Sequence, residues 1–264
     1  MSVDLELMGI SVRFGGLVAV SDASLRARRG HVTSLIGPNG AGKTTTFNAA
    51  TGVVTPTAGE VRLGGERLDG LSPMARAQRG LGRTFQRMEL FDSMTVLENI
   101  ALGPELLAAG RRPWRHLVAT RREQAEGRAR AAKAVDRCGI GALVDRSADE
   151  LSTGQRRLVE LARAMASPFS FLLLDEPSSG LDVSETEHFA SILRSIADDE
   201  GLGILLVEHD MALVRAICDH TYVLDFGRMI FNGATDAVLR SELVQAAYLG
   251  SEADDIDQSL VAGG

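Results

Sequence analysis

Lysine is almost missing from this chain of 264 residues. Lys43 and Lys133 are the only two, and arginine carries nearly all of the positive charge. A lysine in a motif is therefore not a compositional accident. Cysteine is equally scarce. Cys138 and Cys218 lie in apolar, helix-like surroundings without metal-ligand spacing, which favours packing over a disulfide as their role. No apolar run approaches the ~18–20 residues that span a bilayer. The opening segment, Met1-Ser2-Val3-Asp4-Leu5-Glu6, has neither a basic nor an apolar leader region. No signal peptide is expected, and the chain is expected to stay in the cytoplasm. A basic face is missing too. The net charge is −7, and only the stretch Gly110 to Arg130 is basic, with Arg111, Arg112, Arg115, Arg121, Arg122, Arg128 and Arg130. That balance argues against a nucleic-acid partner.

What remains is ordinary globular material. With 45% hydrophobic and 24% charged residues, the chain suffices for one large domain or two unequal ones. One stretch organises it. Gly37-Pro38-Asn39-Gly40-Ala41-Gly42-Lys43-Thr44 fits the phosphate-cradling pattern G-x-x-x-x-G-K-[ST]. The apolar run 32–36 predicts a buried strand before it. Thr45 to Ala50 predicts a helix after it, closed by Gly52. In that context the glycines let backbone N–H groups turn toward phosphates, and the helix start adds partial positive charge. Lys43 reaches the β- and γ-phosphates of a nucleotide, and the Thr44 hydroxyl suits Mg²⁺.

Upstream, Leu5, Leu7, Ile10, Val12 and Phe14 alternate, Gly15-Gly16 breaks the run, and Val18 to Ala27 resumes it. This predicts a strand pair. Residues 59–66 add a short strand and turn, and Ser72-Pro73 starts a short helix. Residues 95–150 read as mostly helical, with capping boxes at Thr95-x-x-Glu98 and Thr120-x-x-Glu123. From 150 onward, 171–174 and 204–207 are continuous apolar runs, as in strands buried on both faces. Asp182-x-x-Glu185 caps the helix between them, and 222–231 reads as a hairpin turning near Gly227. The acidic tail 251–264 is expected to be disordered.

Five further features bear on chemistry. Leu174-Asp175-Glu176-Pro177 sets two acids at the end of a buried strand, where α/β folds place ligand chemistry. Asp175 suits a Mg²⁺ shell and Glu176 a general base; the alternative is a solvated acidic turn. Leu151-Ser152-Thr153-Gly154-Gln155 forms an S-x-x-Q capping box. It is either a well-capped amphipathic helix or a second anion-binding helix start, offered to another copy of the chain. His209 ends the apolar strand 204–207; a histidine there is more often structural, though a γ-phosphate contact is open to it. Gln86 carries little weight alone, and Phe14 stands between a core position, which residue chemistry favours, and stacking on adenine.

Together these motifs resemble the ATP-binding subunit of ATP-binding-cassette transporters, from about residue 4 to 250. Gly37 to Thr44 matches the P-loop, Gln86 the Q-loop, Leu151 to Gln155 the signature, Leu174-Asp175-Glu176 the Walker B strand, Ser178 to Asp182 the D-loop and His209 the switch histidine. The signature departs once: Thr153 stands where the family usually has glycine. The resemblance implies an α/β fold, a P-loop NTPase core with an N-terminal antiparallel β subdomain and a helical subdomain. The core would comprise 1–88 and 150–250, the helical part 89–149. It also implies an ATPase, with Glu176 and His209 catalytic. Phe14, residues Gly37 to Thr44 and Thr45 would bind ATP, and Thr44, Gln86 and Asp175 would bind Mg²⁺. Ser152, Thr153, Gly154 and Gln155 would contact ATP held by the opposite protomer of a homodimer or heterodimer. The implied partners are two membrane permeases and, indirectly, a solute-binding protein, at the inner face of the cell membrane. Arg83-Thr84-Phe85-Gln86, Leu90-Phe91, the stretch 94–100, the insertion near 103–130 and Ala247-Tyr248-Leu249-Gly250 look like the branched-chain amino-acid importer group. Urea and amide importers and the ATPase of lipopolysaccharide export share these marks. A soluble cassette acting on DNA or ribosomes would bring a coiled coil or a second cassette, and a P-loop kinase would leave the signature and D-loop without a role.

Overall fold

The computed structural model describes residues 4–84, 90–111 and 121–248. Strands β1 (Leu5–Phe14) and β2 (Leu17–Ala27) pair antiparallel around Gly15-Gly16. The chain then starts a second sheet at β3 (Val32–Ile36), runs through helix α1 (Lys43–Thr51), and returns to the first sheet as β4 (Ala58–Leu63) and β5 (Glu66–Arg67). The first sheet has the order β2-β1-β4-β5 and is antiparallel throughout. Its inward alternation slips phase once. Leu5 and Leu7 are buried, the register shifts around Gly9, and Ile10 and Val12 resume the buried set, as a β-bulge requires. Phe14 keeps the inward parity but lies past the end of the core and is 52% exposed. Its side-chain chemistry favoured a core position; the strand simply outruns the layer it packs on.

Helix α2 (Pro73–Ala77) opens on Ser72, whose hydroxyl accepts the Ala75 N–H at 3.3 Å, with proline at the first helical position. Strand β6 (Leu81–Arg83) follows, then helices α3 (Val96–Arg111), α4 (Arg121–Arg137) and α5 (Thr153–Met165). The Thr95–Glu98 capping box is present, with Glu98 Oε2 accepting from Thr95 N at 2.8 Å and Thr95 Oγ1 accepting from Glu98 N at 3.2 Å. Thr120 lies outside the described residues. The chain ends with β7 (Phe171–Asp175), α6 (Val183–Glu200), β8 (Gly203–Val207), α7 (Met211–Ile217), β9 (His220–Asp225), β10 (Arg228–Ala234), α8 (Thr235–Leu239) and a helical segment over 242–248.

The second sheet has the order β10-β9-β3-β8-β7-β6, all parallel except β10. Every residue of β3, β7 and β8 is buried, which is why these strands read as unbroken apolar runs. Successive residues point to opposite faces. Leu172, Ile204 and Leu206 meet the layer containing Ile100, Ala131, Val159 and Ala162. Leu173, Leu205 and Val207 meet Phe47 and the inner face of the first sheet, Leu5, Leu7 and Ile10. With β3, β8 and β7 adjacent at the centre, the segments that leave their C-terminal ends gather at one edge, where parallel sheets bind ligands.

Among the described residues, no helix is long and apolar enough to cross a membrane. Both cysteines are buried and unpaired, and burial pushes each thiol up to about 12. Since only the thiolate reacts, folded protein at pH 8 should react with a disulfide reagent roughly a thousandfold more slowly than unfolded protein. Stopped-flow thiol titration with and without denaturant checks this.

Candidate functional site

Loop 37–44 leaves the end of β3 and is held from two sides. A Cβ on Gly37 would collide with the Leu224 carbonyl, and one on Gly42, at φ 99°, would lie 2.6 Å from the Ala19 carbonyl. Only glycine fits where β9 and β2 pass this closely. The β9–β10 turn adds a clamp: Gly227 N–H donates to Ala41 O at 3.0 Å, and Ser21 N–H donates to Gly227 O at 2.8 Å. Helix α1 starts at Gly42 with no side-chain cap, so its first N–H groups face the loop without a side-chain acceptor. Lys43 is buried and donates to its own loop, to Gly37 O at 2.7 Å and Pro38 O at 2.8 Å. Desolvation holds its ammonium pKa below the ordinary lysine value, with Glu176 and Asp175 opposing that shift. Thr44 is exposed and Thr45 half-buried.

At the end of the neighbouring strand β7, Asp175 is buried and its carboxyl pKa is raised, chiefly by desolvation, against the pull of Arg83 and Lys43. Glu176 follows at φ 48°, a left-handed conformation that few non-glycine residues adopt. Its N–H donates to Val207 O on β8 at 2.9 Å. Such outliers concentrate at functional sites. The structure therefore brings Lys43, Asp175 and Glu176 within electrostatic reach of one another.

Two residues here escaped the sequence reading of the site. Arg83, noticed only as part of a subfamily pattern, places Nη2 2.9 Å from Asp175 Oδ2 and Nη1 2.6 Å from Asn48 Oδ1 and 3.2 Å from Thr51 Oγ1. It thus joins β6, β7 and α1. Glu208 is fully buried; an acid directly after an unbroken apolar strand was the available signal. Its Oε1 accepts Ser178 N–H at 2.9 Å, and its Oε2 accepts His209 N–H at 3.1 Å and Asp210 N–H at 3.4 Å. The His209 side chain is 62% exposed, with Nδ1 3.9 Å from Glu208 Oε2. Gln86 lies outside the described residues.

The start of α5 forms the expected capping box. Ser152 Oγ accepts Gln155 N–H at 3.2 Å, and Gln155 Oε1 accepts Ser152 N–H at 3.1 Å. Ser152 and Thr153 are exposed. Gly154 is buried, and a Cβ on it would run into the Glu185 carboxylate; a Cβ on Gly180 would lie 3.3 Å from Thr153 Cγ2. The start of α5 thus rests on the segment after β7. Asp182 and Glu185 form a further capping box, with Asp182 Oδ1 accepting Glu185 N–H at 2.8 Å.

This arrangement matches known proteins. Residues 20–179 fit the family model described as ABC transporter. The high-affinity branched-chain amino acid transport ATP-binding protein LivG of Salmonella typhimurium is 40% identical over 250 residues, covering 93% of this chain and 97% of that one. The lipopolysaccharide export system ATP-binding protein LptB of Escherichia coli is 34% identical, covering 94% and 98%. The crystal structure of the ADP conformation of MJ1267, an ATP-binding cassette of an ABC transporter, superposes with a TM-score of 0.83 at 30% identity, covering 95% and 99%. With a phosphate loop, a capped helix start and a strand-end acid pair in this order, the match over 20–179 and the identity to LivG make the chain a member of the ABC transporter ATP-binding family, whose cassettes bind nucleotide and hydrolyse ATP.

Proposed function

We propose that this cassette powers import of branched-chain amino acids through separate membrane permeases. The observation that carries the reading is the identity to LivG along nearly the whole of both chains, which exceeds that to LptB. The site supports the chemistry. Gly37, Pro38, Asn39, Gly40, Ala41, Gly42, Thr44 and Thr45 surround the phosphates of ATP. Lys43 trades the carbonyls of Gly37 and Pro38 for phosphate oxygens, and exposed Phe14 stacks on the adenine.

The residues present fit Mg²⁺. Asp175 offers a carboxylate and Thr44 a hydroxyl, while among the described residues no group of three or more acidic, histidine or cysteine side chains is arranged to hold a metal ion by itself. Mg²⁺ in such sites takes few protein ligands and completes its shell with phosphate and water. Thr44, Gln86 and Asp175 would hold it, and when bound it would neutralise charge on the phosphates. Glu176 accepts the proton of the attacking water, and His209 contacts the γ-phosphate. Ser152, Thr153, Gly154 and Gln155 serve the ATP of a second cassette, identical or homologous, in a head-to-tail dimer. Residues 89–149 form the helical part that moves against the core of 1–88 and 150–250. The assembly sits on the inner face of the membrane, fed by a solute-binding protein.

The test is labelled leucine uptake in cells lacking the gene. Uptake should be restored by the wild-type chain and not by Lys43→Ala, and the tagged wild-type chain should bring down two permeases. Leucine uptake that is unchanged by the deletion would sink the solute assignment.

A further inference from the structure

We infer that Glu208 is a positioning residue that fixes the segment carrying His209 to the segment that begins at Ser178. A fully buried carboxylate is costly unless its oxygens are satisfied. Among the described residues, no lysine or arginine pairs with Glu208. Its partners are instead three backbone N–H groups: Ser178 on one oxygen, and His209 and Asp210 on the other. The two groups of donors lie on different segments, one after β7 and one after β8. Each oxygen thus holds one segment, and the side chain is the strut between them.

Both segments carry reacting groups. Glu176 lies two residues before Ser178 in a tight run, with Ser179 N–H donating to Glu176 O at 3.1 Å and Leu181 N–H to Ser178 O at 3.0 Å. Further along that run, Gly180 and Glu185 support Thr153 and Gly154. Glu208 therefore sets Glu176 and His209 relative to each other, and sets both relative to the helix start offered to the partner cassette. This role rests on the assignment of Glu176 and His209 to the γ-phosphate end of ATP.

Glu208→Gln keeps the shape of the side chain but turns one acceptor oxygen into a donor, so one segment loses its hold. The kcat for ATP hydrolysis should fall by about ten- to a hundredfold. The KM, and the equilibrium affinity for ATP, should stay within about twofold, because loop 37–44 is untouched. Hydrogen exchange gives the readout that a merely structural role would not move. In Glu176→Gln protein with Mg²⁺ and ATP, protection at 178–182 and 209–210 should rise together; with Glu208→Gln added, the two segments should respond separately. An unchanged kcat would overturn the role. So would a fall in kcat matched by an equal loss of ATP affinity, or exchange in the two segments that is already uncoupled when Glu208 is present. That last measurement decides the matter even if Glu208→Gln does not fold. Normal hydrolysis by both Glu176→Gln and His209→Ala would instead remove the site assignment beneath it. Loss in those variants with full activity in Glu208→Gln would remove the strut alone.

Discussion

Glu176→Gln should bind ATP with unchanged affinity and hydrolyse it at least about a hundredfold more slowly, the scale on which a positioned general base acts. The substitution removes a negative charge beside Lys43 and Asp175 but keeps the shape of the side chain. Glutamine keeps the length and branching of the side chain and inherits the same backbone at φ 48°. The strain of that conformation and the N–H donated to Val207 O are therefore common to both proteins. What disappears is the acceptor for a proton from water. Because binding survives while hydrolysis stalls, ATP-bound dimers should accumulate. Single-turnover phosphate release, equilibrium titration and light scattering measure the three quantities. Hydrolysis at the wild-type rate would take Glu176 out of the proton transfer.

Arg83→Leu should destabilise the fold by about 3 kcal/mol, the lower end for breaking a buried ion pair. The Arg83 side chain is 10% exposed and that of Asp175 3%, so solvent does little to replace the lost guanidinium. Asn48 and Thr51 on α1 lose their donor in the same step. The deficit has a definite pH dependence. Burial already raises the Asp175 carboxyl pKa, and Arg83 opposes that shift; its removal raises the pKa further. A carboxyl whose folded pKa exceeds its unfolded value binds its proton more tightly in the folded state. The deficit is therefore full above the folded pKa and shrinks as pH falls through it toward the unfolded value. Denaturant unfolding of Arg83→Leu across that range, beside Arg83→Leu/Asp175→Asn, tests this. The double variant should recover most of the loss at neutral pH, and equal instability of the two at every pH would refute the ion-pair account.

Elements whose cause is local were legible in the sequence. Strands β3, β7 and β8 announce themselves because both faces are covered. The starts of α5 and α6 announce themselves because their capping boxes are complete within four residues. The turn at Gly227 needs only the glycine. What depended on distant partners was hidden. The place of β3 between β9 and β8 is decided by crossovers that no strand encodes. Arg83 finds Asp175 across 92 positions, and Glu208 finds Ser178 across 30. Residue chemistry could not decide between core and surface for Phe14, because its parity is set by a bulge and its exposure by the length of the layer beneath it. The acids at 175 and 176 could be seen as a pair; that burial raises the pKa of Asp175, while Glu176 takes a left-handed backbone, could not.

The start of α1 has a consequence for measurement. Most helices complete their first turn with a neighbouring hydroxyl or carboxylate; this one has no side-chain cap. Part of the stability of α1 is thus deferred until an anion arrives. Melting then becomes an assay of occupancy: ligands that place phosphate at Gly42 should raise Tm in proportion to the logarithm of their concentration, and adenosine should not. The cassette carries its own thermometer for the nucleotide it uses.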